Sequence, residues 1–272
     1  MIDSLMKFNS VPAEIIIVDN GSKTDESLLL KEKYGDSIIV IRSEKNLGFA
    51  GGNNLGIKEA KGKFLLLLNN DTEIKSDSLG FLVSFLESHP DAGIVCPKIK
   101  FFDSPDIIQF AGFTPLSPIT LRNSIIGFRE EDKGQYNTPH TTPYAHGAAM
   151  MVRRSALNEV GTMCEDYFLY YEELDWSLRF EDKNWLIWYD PECTIYHKES
   201  STTGKDSHLR RYYLTKNRLI FAKRNLGLVS RWFSFAYQIF ISAPLRALSY
   251  ILKGKRGYLK PILRGLRDGI MQ

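Results

Sequence analysis

Residues 64–73, F-L-L-L-L-N-N-D-T-E, constrain the fold more than any other stretch of the chain. Five consecutive apolar residues, Phe64 to Leu68, fit a strand buried on both faces of a parallel sheet. The run stops at Asn69-Asn70-Asp71-Thr72-Glu73, turn chemistry that carries two carboxylates. In open α/β sheets, ligands sit beyond the carboxyl ends of the strands. Asp71 and Glu73 are therefore placed where a metal or a phosphate-bearing ligand would be held. Taken alone, these residues fit an ordinary turn with solvated acids slightly better, and the surrounding sequence shifts that balance.

Strand and helix signals alternate on both sides of this stretch. Residues 14–18 are a β-branched run ending in Asp19-Asn20-Gly21-Ser22. Residues 24–34 have helical character with Thr24 as N-cap, and residues 38–41 read as a second strand. A glycine-rich turn over residues 45–56 runs into a helix ending near Lys61-Gly62. The alternation predicts an α/β fold with a mostly parallel sheet covered by helices. Further on, residues 76–88 predict a helix and residues 93–102 a strand. Residues 103–143 lose periodicity and gain Pro and Gly, the pattern of a loop-rich insertion with room for a short hairpin. Order returns over residues 145–152. A helix follows at 171–181, then late strands at 186–189 and 194–196, and from Leu209 the chain is helical and basic.

Charge divides the chain unevenly. Residues from Lys205 onward carry 15 Lys and Arg against 2 Asp and Glu, whereas residues 1–204 carry 20 against 30. A formal net charge of +3 thus conceals an acidic body with a strongly basic tail, suited to nucleic acid, anionic lipid or an acidic partner. No nucleic-acid-binding motif accompanies the tail, which leaves nucleic acid the weaker partner. Cys96, Cys164 and Cys193 are scattered without C-x-x-C spacing and read as buried or free thiols of a reducing compartment. With no long apolar run near Met1, the expected location of the body is cytoplasmic.

The residues able to do chemistry fall in three places. The turn at 46–56 matches neither the dinucleotide fingerprint nor the P-loop, which disfavours a dehydrogenase and an ATPase. Its glycines permit close backbone approach to a ligand at a helix start, and they equally permit tight helix–sheet packing. Glu172 and Glu173 sit in the first turn of a predicted helix, where the helix dipole favours ionised carboxylates. Such acids often serve stability alone, yet Glu173 also meets the requirement for a general base, a carboxylate on a rigid element. Asp175 and Arg179, four apart, form a structural ion pair. His197 follows the last strand; a lone His is more often structural, but with Asp71 and Glu73 it completes an O,O,N set suited to manganese or magnesium.

The sequence resembles the family-2 inverting glycosyltransferases of the GT-A fold, especially their rhamnosyltransferase-like members. The matching stretches are I-I-I-V-D-N-G-S at 15–22, N-L-G-F-A-G-G-N-N-L-G-I at 46–57 and L-L-L-N-N-D-T at 66–72. H-G-A-A-M-M-V-R-R at 146–154, F-L-Y-Y-E-E-L-D-W-S-L-R at 168–179 and His197 continue the series. The resemblance implies that Asp19, Asn46, Gly52, Asn53 and Asn70 bind a nucleotide-sugar, with Asp19 on the base or ribose. It implies a metal motif of Asp71 and Glu73 with His197, holding Mn2+ or Mg2+, and an acceptor base at Glu173. In the family the base is usually the Asp of a Glu-Asp pair, so Glu173 is one methylene longer. The family also opens with a strand and a T-Y-N-type turn, whereas Met1 to Phe8 reads as the end of the first helix, a start that is truncated or lacks part of the donor pocket. The implied acceptor is a lipid-linked or polysaccharide glycan, and the rival expectation is a non-catalytic glycan- or membrane-associated relative.

These signals divide the chain into a catalytic domain, residues 1–204, and a basic, aromatic-rich helical extension, residues 205–272. Within the extension, residues 232–252 contain a single charge, Arg246, and a single proline, Pro244. About 20 apolar residues suffice to span a bilayer, but a central Arg costs about 2.5–3.5 kcal/mol there. With aromatic residues throughout and Lys and Arg on the flanks, the segment predicts peripheral, in-plane attachment to an anionic membrane surface at its cytoplasmic face. The alternative is a helix packed on the body or on a partner.

Overall fold

A computed structural model describes residues 1–198 and 207–272; the expected domain boundary at 204/205 lies outside the described residues. The chain opens with α1 (Ile2–Phe8), β1 (Ile16–Asn20), α2 (Glu26–Tyr34), β2 (Ile39–Ser43) and α3 (Gly48–Glu59). Then come β3 (Phe64–Leu68), β4 (Thr72–Glu73), α4 (Leu79–Ser88), β5 (Ala92–Phe101) and β6 (Ser104–Phe110). The remainder of the body is β7 (His140–Thr141), β8 (Ala149–Arg153), α5 (Arg154–Val160), α6 (Glu172–Glu181) and β9 (Leu186–His197). The C-terminal part comprises α7 (His208–Asn225), α8 (Leu228–Ala236), a π-helical turn (Tyr237–Ser242), α9 (Ala243–Leu252) and α10 (Leu259–Met271).

The α/β expectation holds, and the sheet is mixed. β1 and β2 pair in parallel as a two-stranded sheet, and a seven-stranded sheet runs β3-β8-β5-β9-β4, with β6 on β5 and β7 on β9. β5 and β9 are parallel, whereas β3 and β5 both lie antiparallel to β8. Residues 64–68, expected between parallel neighbours, thus take an antiparallel partner and alternate between buried and half-buried. β5 is the central strand, with Ala92 to Lys98 and Ile99 all buried. The main core packs Ile94, Val95 and Ile99 with Met150, Val152, Ile187 and Ile195, under Leu82 and Leu86 of α4 and Trp176 and Phe180 of α6.

Two local readings change, and the insertion gains strands. The N-cap of α2 is Asp25, whose carboxylate accepts from the Ser27 amide, not Thr24. Residues 186–189 and 194–196 belong to one strand, β9, whose register shifts between its contacts with Pro97 and Lys98. The loop-rich insertion contributes β6, which pairs antiparallel with β5 as a hairpin, and β7, and it is anchored inward by Asp132, which salt-bridges Lys98 at 3.1 Å and Lys100 at 2.7 Å. Burial pushes the Asp132 carboxyl up, but the two lysines more than offset this and leave it at about 2. Ile108, Phe110 and Ala111 of the same part are buried in the main core, and these contacts and ion pairs join it to distant strands, which a local pattern does not record.

The basic extension is built into the body. Ile220, Phe221 and Ala222 of α7 pack with Leu121, Tyr167 and Tyr171 in a second cluster just ahead of α6. Asp175 accepts from Tyr167 Oη and Asn225 Nδ2, each at 2.9 Å, and bridges both Arg179 and Arg224 at 3.3 Å. The expected Asp175–Arg179 pair is therefore present, within a junction of α6 and α7. The three cysteines are free thiols; burial pushes Cys96 and Cys193 up to about 12.

Candidate active site

The first turn of the site follows β1. Asp19 is buried, and its carboxylate accepts from the Ser22 amide at 2.9 Å and pairs with Arg42 at 2.7 Å. Burial pushes the Asp19 pKa up; hydrogen bonds from Ser22 and the charge of Arg42 outweigh it and leave it lowered. Arg42, unassigned from sequence, also reaches Asp25 at 2.8 Å and stays partly exposed beside Asp19.

The glycine-rich turn docks on this first turn. Asn20 donates to the Gly48 carbonyl and accepts from the Leu47 amide, while Asn46 accepts from Asn20 Nδ2 and from the Gly48 amide. Asn53 donates to the Phe49 carbonyl one turn back along α3. A Cβ at Gly52 would sit 2.8 Å from Asn20 Nδ2, and one at Gly48 (φ +75°) would meet the Phe168 carbonyl. Close backbone approach is thus a requirement of this turn, here between parts of the protein itself. The contact continues as a hydrogen bond from the Phe49 amide to the Phe168 carbonyl.

The turn after β3 and the end of β9 bring Asp71 and His197 together. β4 pairs with β9 so that Thr72 faces His197 and Glu73 faces Tyr196. Facing residues in such a ladder share one side of the sheet and neighbours alternate, so Glu73 is turned away from His197. Its carboxylate pairs instead with Lys198 at 3.3 Å. Asp71 Oδ1 lies 3.1 Å from His197 Nε2. The other imidazole nitrogen, Nδ1, contacts Gln109 Oε1 at 2.9 Å in the buried interior. The Gln109 contact at Nδ1 fixes the ring and leaves Nε2 as the nitrogen on the Asp71 side.

A carboxylate oxygen and an imidazole nitrogen 3.1 Å apart are suited to a shared cation or a shared proton. Adjacent ligands of an octahedral ion with bonds of about 2.0–2.2 Å stand about 3 Å apart, so the spacing fits a divalent metal. Among the described residues no three His, Cys, Asp or Glu side chains converge on one metal position. A metal here would take two protein ligands and complete its shell from substrate oxygens and water, and the expected third ligand, Glu73, is not brought in. Asn70 is exposed beside Asp71 in the same turn. His146 lies close to His197, its Nδ1 accepting from the Ala148 amide. Burial, then the neighbouring His197, pushes it down to about 3, which keeps it neutral.

Glu172 and Glu173 open α6 behind an unusual stretch of backbone. Phe168, Tyr170 and Tyr171 all have positive φ (57°, 70° and 81°), a left-handed region that costs bulky side chains energy. Asn217 of α7 holds the stretch by donating to the carbonyls of Tyr167, Leu169 and Tyr170 at 2.7–2.8 Å. Glu172 is buried, and burial together with the charge of Glu173 raises its pKa well above the usual carboxylate range. Burial raises Glu173 as well. One oxygen of each carboxylate is enclosed without a hydrogen-bond partner among the described residues.

Gln109, Arg42 and Asn217 were missed in the sequence reading. None lies in a motif-like stretch, and Gln109 is 88 residues from the histidine it orients.

This arrangement of strands and turns is that of the GT-A glycosyltransferases. A structure of GalNAc-T7 with UDP, GalNAc and Mn2+ superposes with a TM-score of 0.61 at 15% identity, covering 92% of this chain and 55% of that one. The chain belongs to glycosyl transferase family 2, whose family model matches residues 1–161. It is 27% identical over 266 residues to the low-salt glycan biosynthesis hexosyltransferase Agl10 of Haloferax volcanii, covering 95% of this chain and 83% of the relative. It is also 27% identical over 240 residues to the N-acetylglucosaminyl-diphospho-decaprenol L-rhamnosyltransferase of Mycobacterium tuberculosis, covering 79% and 76% of the two chains. The protein is therefore a glycosyltransferase enzyme.

Proposed function

We propose that this enzyme transfers a sugar from a nucleotide diphosphate to an acceptor hydroxyl with inversion, in the synthesis of a cell-surface glycan. The carrying observation is the enclosed Glu172–Glu173 pair at the start of α6. Glu173 takes the acceptor proton as the acceptor oxygen bonds to the anomeric carbon. The bond from that carbon to the diphosphate breaks, and the electron pair leaves with the nucleotide. A single displacement of this kind inverts the anomeric centre. Asp71 and His197 would hold Mn2+ or Mg2+, which supplies charge neutralisation for the departing diphosphate. Asp19, Asn46, Gly52, Asn53 and Asn70 surround the donor side, with Arg42 as a further cation there. The relatives' names support a hexose or rhamnose donor and a lipid-diphosphate acceptor.

The extension supports delivery at a membrane. Leu228–Leu252 is one continuous helix, and by length and composition it is apolar enough to cross a bilayer. Its polarity is inverted. Ser234, Gln238, Ser242 and Arg246 face the body, whereas Trp232, Phe233, Phe240, Leu245, Leu248 and Leu252 are exposed. An apolar face of this extent turned outward calls for an apolar neighbour. The basic residues around it, among them Lys253, Lys255, Arg256 and Lys260, suit an anionic lipid surface. We therefore assign residues 1–204 to catalysis and residues 205–272 to in-plane membrane attachment on the cytoplasmic side.

A panel of dTDP-, UDP- and GDP-sugars, scored for nucleotide release with and without manganese, tests the reading. Metal-dependent release from one donor, raised by a prenyl-diphosphate glycan, supports it. Absence of release from every donor refutes it.

A further inference from the structure

Beside Tyr171, the inward stripe of the inverted helix meets α7 at a cluster of guanidinium groups. Arg218 of α7 is buried; its Nε donates to Tyr171 Oη at 2.9 Å, and its Nη1 is enclosed with no hydrogen-bond partner among the described residues. Arg246, from the inward stripe of α9, is half-buried. Burial and the charges of Arg218, Arg122 and Arg211 push its pKa down. Arg122 reaches the same place from the insertion and donates to Ser242 Oγ at 3.1 Å. The Tyr171 phenol feels the charges of Arg218, Arg246 and Arg122, and Arg218 Nη1 finds no acceptor among the described residues.

Like charges drawn together in a half-buried site are costly without an anion to offset them. Helix geometry at this point serves the cluster. The π-helical turn Tyr237–Ser242 precedes Pro244, which cannot donate to the carbonyl one turn back, and π turns of this kind concentrate at functional sites. It carries Ser242 to Arg122, and Gln238 to the Thr120 carbonyl at 3.0 Å. Guanidiniums match phosphate oxygens in paired, charge-assisted hydrogen bonds.

We infer that Arg218, Arg246 and Arg122 form an anion site for the phosphate or diphosphate ester of a lipid-linked acceptor, next to Tyr171 and the Glu172–Glu173 pair. The inference rests on the proposed transfer to such an acceptor. The exposed apolar face of the same helix places the lipid tail, the inward stripe takes the phosphate, and the sugar hydroxyl extends towards Glu173. The site is separate from the Asp71–His197 pair, which faces the donor diphosphate.

Calorimetry of the full chain with farnesyl diphosphate in EDTA, which silences metal-dependent binding, tests the site. Farnesol and inorganic pyrophosphate serve as the companion probes. Arg246→Gln should weaken farnesyl diphosphate binding roughly tenfold to a hundredfold, the range of lost charge-assisted bonds. Its melting temperature should stay equal or rise, because no protein acceptor is lost and a repulsion is removed. Arg267→Gln, the same charge change at an exposed position of α10, should bind as the wild type does. Undiminished binding in Arg246→Gln, or an equal loss in Arg267→Gln, overturns the site. Arg246-dependent pyrophosphate binding as tight as that of farnesyl diphosphate overturns the lipid source in favour of free phosphate. Manganese-dependent nucleotide binding measured on the same Arg246→Gln protein reports on the donor side alone, so failure of one reading is not mistaken for failure of the other.

Discussion

Replacing Glu173 by Gln removes the proposed base and preserves the shape of the side chain. Glu172 is raised by burial and by the charge of Glu173, whereas Glu173 is raised by burial alone. Burial favours the protonated form of both carboxyls, and in the proposed mechanism the charge that forms as the pair ionises sits on Glu173. Glu173→Gln should lower transfer by roughly 10²–10⁴-fold, equivalent to about 2.7–5.4 kcal/mol at 1.36 kcal/mol per tenfold. Glu172→Gln mimics the neutral acid and should keep transfer within about tenfold. In the wild type, transfer should rise as pH climbs through a Glu173 pKa lying above the usual carboxylate value of about 4.3. Stability should move the other way. With folded pKa values above the unfolded ones, the contribution of the pair is complete below about pH 4.3 and is lost as pH rises through the folded values. Glu172→Gln lacks its share of that loss, so its melting temperature should gain on the wild type as pH increases. Nucleotide release and thermal melts across the pH range measure both effects. Full transfer in Glu173→Gln with none in Glu172→Gln would move the base by one residue, and full transfer in both would refute a carboxylate base at this helix.

Asp71→Ala should abolish manganese-dependent binding of nucleoside diphosphate by calorimetry and His197→Ala should weaken it; unchanged affinity in Asp71→Ala removes the metal site. Gln109→Leu leaves both ligands but releases the imidazole, and should cost roughly tenfold to a hundredfold in manganese-dependent affinity, with Gln109→Glu restoring part of it; no change in Gln109→Leu means that His197 is not oriented from Nδ1. Asn217→Leu removes an amide whose two N–H groups are shared among three carbonyls, at about 1 kcal/mol per N–H, so urea unfolding should show a loss of about 2 kcal/mol, and a loss under about 0.5 kcal/mol would mean the positive-φ stretch is held by other contacts. The full chain should float with anionic vesicles and be released by high salt or alkaline carbonate, and the double variant Trp232→Glu, Phe240→Glu should stay in solution; flotation of that variant contradicts the apolar face as the contact.

Much of the site was legible because turn chemistry and helix starts are written locally. Asn69 to Glu73 marks the end of a buried strand by composition alone, and Glu172-Glu173 marks a helix start ahead of an amphipathic stretch. Both sit in the structure where the sequence puts them, at the end of β3 and the start of α6. The resemblance to family-2 glycosyltransferases rested on stretches of this kind, each readable within about ten residues. The inverted helix was half legible: its apolar, aromatic content was plain, but which face met the body was not.

The sequence by itself determined the α/β alternation, the positions of the acidic turn and the paired glutamates, and the basic tail, since periodicity, breakers and charge act over a few neighbours. Only the tertiary structure decided the antiparallel partner of β3, because an apolar run records burial and carries no direction. It alone turned Glu73 away from His197, through a register in which one residue separates the two faces of a strand. It also brought Gln109 to His197, Asn217 to the strained backbone before Glu172, and Arg122, Arg218 and Arg246 to one place. Those contacts join residues tens of positions apart, and the free energy that selects them is packing and electrostatics between elements, which no local pattern encodes.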